Sequence, residues 1–157
     1  MTATRRVVLL VAALLLVAPP VMAPALAQVA FGHGELDIET ASGRQHFDIE
    51  LATKDEQQIQ GLMFRRTLAP DAGMLFLYPS EREIQMWMKN TVIPLDMIFI
   101  RADGTVSHIA ERAVPRSLEI IPSEGPVLAV LEVNGGTAAR LGIKPGDRVL
   151  YPAFAKP

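Results

Sequence analysis

The chain has 157 residues, with 15 Lys+Arg against 17 Asp+Glu and no cysteine. The missing thiols exclude cysteine catalysis, cysteine-held zinc and disulfide exchange, and leave stability to ordinary packing. A net charge of −2 provides no basic footprint for nucleic acid.

Arg5 and Arg6 precede an uncharged apolar run from Val7 to Ala18, followed by PPVMAPALAQ with small residues at Ala25 and Ala27. This order predicts a secretory signal peptide over 1–27, cleaved after Ala27. The alternative is an uncleaved anchor, but 12 strictly apolar residues fall short of the roughly 20 a spanning helix needs. No cysteine follows the small residues to take a lipid. Cleavage removes two arginines and leaves 13 Lys+Arg against 17 Asp+Glu, a net charge of −4. The expected product is an exported domain, periplasmic or secreted, with no later segment of transmembrane length and enough residues for one core.

Residues 28–34 read as a loose N-terminus, and 35–157 as a single β-rich domain. ELDIET (35–40) and HFDIEL (46–51) alternate apolar and polar residues around a Ser42-Gly43 turn, the pattern of a hairpin. Thr53 and Glu56 have capping-box spacing, and Ile59, Leu62 and Met63 give the following helix one apolar stripe, shortened by Gly61. Gly73–Tyr78 is an apolar strand, broken by Pro79-Ser80. Residues 83–89 and 95–101 read as two strands of a hairpin around a loop at 90–94. Asp103-Gly104 is a second turn, returning through 105–110. Residues 111–126 carry three prolines and read as a long surface connection that could equally cover one end of a barrel. VLAVLEV (127–133) is nearly continuous apolar sequence, the mark of a central strand. A short helix over 137–141 ends at Gly142, and Lys144-Pro145-Gly146-Asp147 turns into a last strand over 148–151. LGIKPGDRV is similar to a short element of PDZ-like domains, without the rest of their organisation, and its plain role is a turn from helix to strand. Short strands separated by turns predict a mainly β fold, a compact barrel or jelly-roll-like sandwich with one or two short helices.

The chemistry concentrates in IQMWMKNTVIPLDMIFI (84–100). By period two, Ile84, Met86 and Met88 face the core, while Gln85, Trp87 and Lys89 share the other face. Trp87 is then either a packing residue or an aromatic platform. Lys89 and Asp96 would meet across the hairpin as a structural pair, with Asn90 satisfying the turn. Alternatively, Lys89 and Asn90 bind a polar or anionic ligand, Asp96 fixes the lysine and Arg65 adds a fork of donors. Glu132 interrupts an apolar strand. Facing inward, it needs a donor such as Arg65, Lys89 or Arg116, and facing a groove it could bind ligand. Asp96 and Glu132 also form a formal hydrolytic pair of carboxyls. His33, His46 and His108 lack metal-ligand spacing, Ser107-His108 lacks the context of a nucleophile, and Gly135-Gly136 begins no phosphate loop. No cofactor or metal is expected.

GLMFRRTLAPDAGMLFLY followed by MWMKNTVIPLDMIFI resembles the bacterial and archaeal domain-of-unknown-function family 192. The resemblance runs from Phe47 to Tyr151 through Asp103-Gly104, Pro115, Val130-Leu131-Glu132 and Gly146-Asp147. One departure is Met86, where similar proteins often carry an aromatic residue. The resemblance implies a β-rich barrel or jelly roll, often exported. It assigns no biochemical role and carries over no catalytic residue. The combined expectation is an exported accessory or ligand-binding module for a polar or anionic small molecule or glycan. Its ligand site is Arg65, Trp87, Lys89, Asn90, Asp96 and Glu132. The alternatives are a structural or protein-interaction domain with an envelope protein as partner, and a hydrolase using acidic residues.

Overall fold

The computed structural model describes residues 29–154; the expected signal peptide lies outside them. Seven strands form one curled sheet, a half-barrel, in the order β6-β5-β8-β3-β2-β1-β9. The strands are β1 Gly32–Thr40, β2 Gly43–Ala52, β3 Ala72–Arg82, β5 Leu95–Ile100, β6 Val106–Ala113, β8 Val127–Asn134 and β9 Arg148–Leu150. Two-residue strands β4 Gln85–Met86 and β7 Ile121–Pro122 pair separately. Helices α1 Asp55–Gln60 and α2 Thr137–Leu141 complete the mainly β domain.

The first hairpin forms as its alternation predicts, with Leu36, Ile38, Phe47 and Ile49 buried. It begins at Gly32, inside the stretch expected to be loose, because residues 32–34 pair with 49–51. β2 then pairs in parallel with β3, so the chain must cross over, and α1 with its connector makes the crossing. The cap of α1 lies one residue later than expected. Gln57, not Glu56, reaches back, its Oε1 accepting from the backbone N–H groups of Thr53 and Lys54, both at 3.0 Å. Of the predicted stripe, only Leu62 is fully buried, and Ile59 faces out.

β8 lies between β5 and β3 with both faces covered, which explains a sequence that is apolar except for Glu132 and the terminal Asn134. Leu131 and Val133 point to one core with Phe47, Ile98 and Val149. Val130 points to a second, with Met74, Met86, Met88, Met97 and Phe99. Pro79-Ser80 does not end β3. The strand runs on to Arg82 through a register shift between Leu77 and Arg82, where the proline needs no ladder partner.

The hairpin expected over 83–101 does not form. β5 is taken up by β6 and β8 on its two sides, which leaves no edge for residues 83–89. Gln85–Met86 instead pairs with Ile121–Pro122 of the long connection. The Ile84 N–H donates to Ser123 Oγ at 3.0 Å and the Ser123 N–H returns a bond to the Ile84 carbonyl at 2.9 Å. The expected alternation survives. Ile84, Met86 and Met88 are buried, while Gln85, Trp87 and Lys89 are exposed.

The two ends of the sheet approach each other at one corner. The turn after β5 bridges to β9 through Thr105 and Arg148, and the Val149 N–H donates to the Gly104 carbonyl at 2.8 Å. Gly104 has φ 84, and an added Cβ would lie 2.7 Å from the Val149 carbonyl oxygen. The LGIKPGDRV element is a turn, closed by the Lys144 N–H on Asp147 Oδ2 at 2.8 Å.

Candidate functional site

Glu132 on β8 stands opposite Met74 of β3 and Met97 of β5. Directly paired residues share a face, so Glu132 leaves the sheet on the methionine-rich side. Phe76 and Tyr78 follow Met74 by period two and rise from the same face of β3. A cavity of about 400 Å³ opens above them. Ile59, Gly61 and Leu62 wall it from the exit of α1, and Met86, Trp87 and Thr91 from the segment after β4. The wall at Gly61 is close because no side chain intervenes. With φ 46 and only 3.0 Å between a virtual Cβ and Phe76 Cζ, this turn favours glycine. Gln58 ties α1 down by donating to the carbonyls of Ala52 at 3.2 Å and Leu77 at 3.1 Å.

Glu132 is 4 % exposed. Among the described residues no side-chain hydrogen bond or ion pair involves it, and desolvation alone pushes its carboxyl up to about 8. At neutral pH it is therefore mostly protonated, able to donate one hydrogen bond and to accept others. Burial likewise pushes the Tyr78 hydroxyl up to about 12, with Arg82 opposing and Glu132 adding to the shift. That hydroxyl donates to Met86 Sδ at 3.9 Å. The Arg82 guanidinium lies 4.9 Å from the Tyr78 ring centroid. Asp55 completes the charged lining.

The six residues expected to form one site separate. Trp87 and Glu132 do share the cavity. Trp87 is 47 % exposed. Lys89 stands over the Trp87 ring, its Nζ 5.4 Å from the centroid. It does not pair with Asp96. Asp96 is wholly buried and accepts three backbone N–H bonds, from Arg112 at 2.8 Å, Gly136 at 2.9 Å and Ala138 at 2.8 Å. Those donors satisfy the carboxylate without a lysine, so the pairing expected across the hairpin falls with the hairpin itself. Arg65 is engaged in a two-pronged pair with Glu50, with Nη2–Oε2 at 2.6 Å. This contact holds its guanidinium above the ordinary value. Arg65 lines a neighbouring cavity with Phe31 and Phe64, and so does not serve Glu132. Asn90 holds the turn, its carbonyl accepting the Phe64 N–H at 2.9 Å and its Nδ2 meeting Met63 Sδ at 3.6 Å.

Sequence reasoning missed Tyr78, Phe76, Arg82 and Asp55. A signal existed for Phe76 and Tyr78, since the alternation of Gly73–Tyr78 puts Met74, Phe76 and Tyr78 on one face. Only the pairing of β3 with β8 brings that face to Glu132. Elsewhere, ligand atoms of Glu35, His46 and Asp48 lie within 4.8 Å of one another on the exposed face of the first hairpin. There His46 Nδ1 is 2.8 Å from Asp37, a bond that raises the histidine's basicity.

Residues 37–151 match DUF192, an uncharacterized ACR family. The chain belongs to the DUF192 family. A protein from Sinorhizobium meliloti 1021, provisionally described as a transcription regulator, has a similar solved structure at 49 % identity and TM-score 0.78, covering 80 % of this chain and 98 % of its own. A protein of unknown function from Novosphingobium aromaticivorans DSM 12444 is 45 % identical with TM-score 0.75, covering 78 % of this chain and 94 % of its own. No curated protein matches the chain. In this DUF192 domain the block GLM (61–63) and, from MWMKNT (86–91), Met86, Trp87 and Thr91 wall the cavity, whereas Asp96 serves the backbone. Met86, the departure from the aromatic pattern, is the acceptor of the Tyr78 hydroxyl.

Proposed function

We propose that this DUF192 protein is an exported, periplasmic or secreted module that binds a small molecule with an apolar body and one polar head. The observation that carries the reading is Glu132. Its carboxyl is largely withdrawn from water, has no protein hydrogen-bond partner among the described residues, and opens on a cavity bordered by an exposed tryptophan, so a ligand donor there would offset its desolvation. Export rests on the basic n-region, apolar core and small residues of 1–27. Of the ligand classes compatible with the sequence, a polar head is better supported than an anionic one, because Arg65 is engaged by Glu50 and Lys89 lies over Trp87. A hydrolytic Asp96/Glu132 pair has no support, since the two carboxyls lie on opposite faces of the sheet.

The test is a thermal-shift screen of polar metabolites and short glycans on the protein, Trp87→Ala and Glu132→Gln. A hit that raises Tm in the parent and fails in both folded variants supports the reading. Hits that persist unchanged in both variants overturn the site. A second reading draws on Ile59 and Trp87, exposed at the cavity mouth, and Phe64, exposed on the adjoining cavity: these side chains would dock an envelope protein. That reading predicts a partner bound by the parent and lost in a Phe64→Ser variant.

A further inference from the structure

We infer that the molecule taken into this cavity carries a protonated amine, its ammonium seated on the Glu132 carboxyl and its apolar body against Phe76, Tyr78 and Trp87. This rests on the proposed binding site and names the ligand's chemistry. Glu132 is nine-tenths buried, lines the cavity and has no donor among the described residues. An ammonium group brings donors alone and a full charge, so it satisfies a carboxylate without leaving an acceptor of its own in an apolar wall. Three aromatic rings border the same space, and two of them, Tyr78 and Trp87, already carry a cation, Arg82 and Lys89, over the ring. The charged groups that share the cavity with Glu132 are Asp55 on α1 and Arg82 on β3. Tyr78 is the remaining titratable neighbour, while β5 contributes Met97 opposite the carboxyl. Two carboxyls and one guanidinium thus line the cavity, the guanidinium over the Tyr78 ring, with the Lys89 ammonium over the Trp87 ring.

Seating the amine has a proton balance. The free carboxyl is mostly protonated at neutral pH. The incoming ammonium pairs with its ionised form, so the carboxyl proton goes to solvent and the ligand keeps all of its own. Below the free carboxyl's pKa the amine therefore competes with a proton for one site. Affinity rises about tenfold per pH unit there and levels off above it. A carboxylate ligand would behave in the opposite sense, accepting from the protonated carboxyl and leaving as it ionises.

The decisive experiment uses protein produced from the full-length sequence and the emission of Trp87, the single tryptophan. Three matched probes are titrated at pH 6, 7, 8 and 9: 2-phenylethylamine, 2-phenylethanol and 3-phenylpropanoate. Calorimetry in two buffers of different ionisation enthalpy counts protons. The expected result at pH 8 is an amine at least tenfold tighter than either other probe. Its affinity climbs from pH 6 to 8, close to one proton is released at pH 6.5, and Glu132→Gln loses tenfold or more. Equal or tighter binding of the alcohol or the acid, or an amine indifferent to both pH and Glu132→Gln, overturns the ammonium and leaves the cavity standing. Emission unmoved by all three probes at millimolar concentration overturns the cavity as well. The pH series and proton count on the parent protein decide the matter even if Glu132→Gln does not fold.

Discussion

Asp96 on β5 stands opposite Val133 of β8, and Glu132 stands opposite Met97, so the two carboxyls leave adjacent strands on opposite faces of the sheet. Asp96 meets a concentrated set of backbone donors. Glu132 meets methionines, rings and a cavity. The same functional group thus becomes an internal bracket on one face and a candidate ligand contact on the other, and mutations should separate the two roles.

Asp96→Ala should be among the most destabilising single changes. It strands the N–H groups of Arg112, Gly136 and Ala138, and hydrogen bonds to a charged acceptor contribute about 1.5–3 kcal/mol each without adding simply. A loss of roughly 3–5 kcal/mol is expected in urea unfolding at pH 7.

Glu132→Gln should stabilise the empty protein as pH rises. The unfolded chain releases this proton near 4.5, while the folded protein retains it up to about 8. Between those values folding must take up a proton, so stability falls with rising pH by about 1.4 kcal/mol per unit. Above the upper value the slope ends. The accumulated difference is on the order of 5 kcal/mol. Urea midpoints of parent and variant at pH 5 and pH 8 should converge at the lower value and part at the higher, with the variant the more stable. Equal slopes for the two proteins would refute a desolvated Glu132.

Arg65→Ala should weaken the fold slightly and leave the Glu132 cavity intact. The ion pair with Glu50 is only partly buried, so about 1 kcal/mol is expected after solvent screening. Arg65→Lys should not recover it, because a single ammonium cannot match both carboxylate oxygens. Unfolding curves of the two variants check the energy. The affinity of any cavity ligand, which should be unchanged, checks the separation.

Gly104→Ala should loosen the corner where β9 meets the turn after β5. Its φ of 84 disfavours a side chain, and the new Cβ would press on the Val149 carbonyl and Phe154. A cost of roughly 1–3 kcal/mol follows. Hydrogen exchange should show the Val149 amide losing protection before the amides of β8.

Much of this fold is legible in the sequence because local patterns suffice for it. Leu36/Ile38 and Phe47/Ile49 alternate, Asp103-Gly104 makes its turn, and residues 127–133 announce a strand covered on both sides. The hairpin over 83–101 fails because alternation tells which side chains turn inward but not which strand lies alongside. β5 had two partners farther along the chain. The site divides the same way. Glu132 is visible as a carboxyl out of place, and Trp87 as an aromatic on the outward face. Tyr78 and Phe76 join them only through the β3–β8 pairing, a contact across more than fifty residues. Asp96 looked like a lysine's partner because its true donors are backbone amides, which leave no trace in side-chain chemistry.

The adjacency of β1 and β9, the first and last described strands, bears on how the protein comes into being. The first hairpin is local in sequence and can close early. Its outer edge stays open until Arg148–Leu150, more than a hundred residues further along, reaches it. Closure of this sheet therefore waits on a contact of long sequence separation, and until it forms the free edge of β1 is an unpaired strand that a holding chaperone could cover.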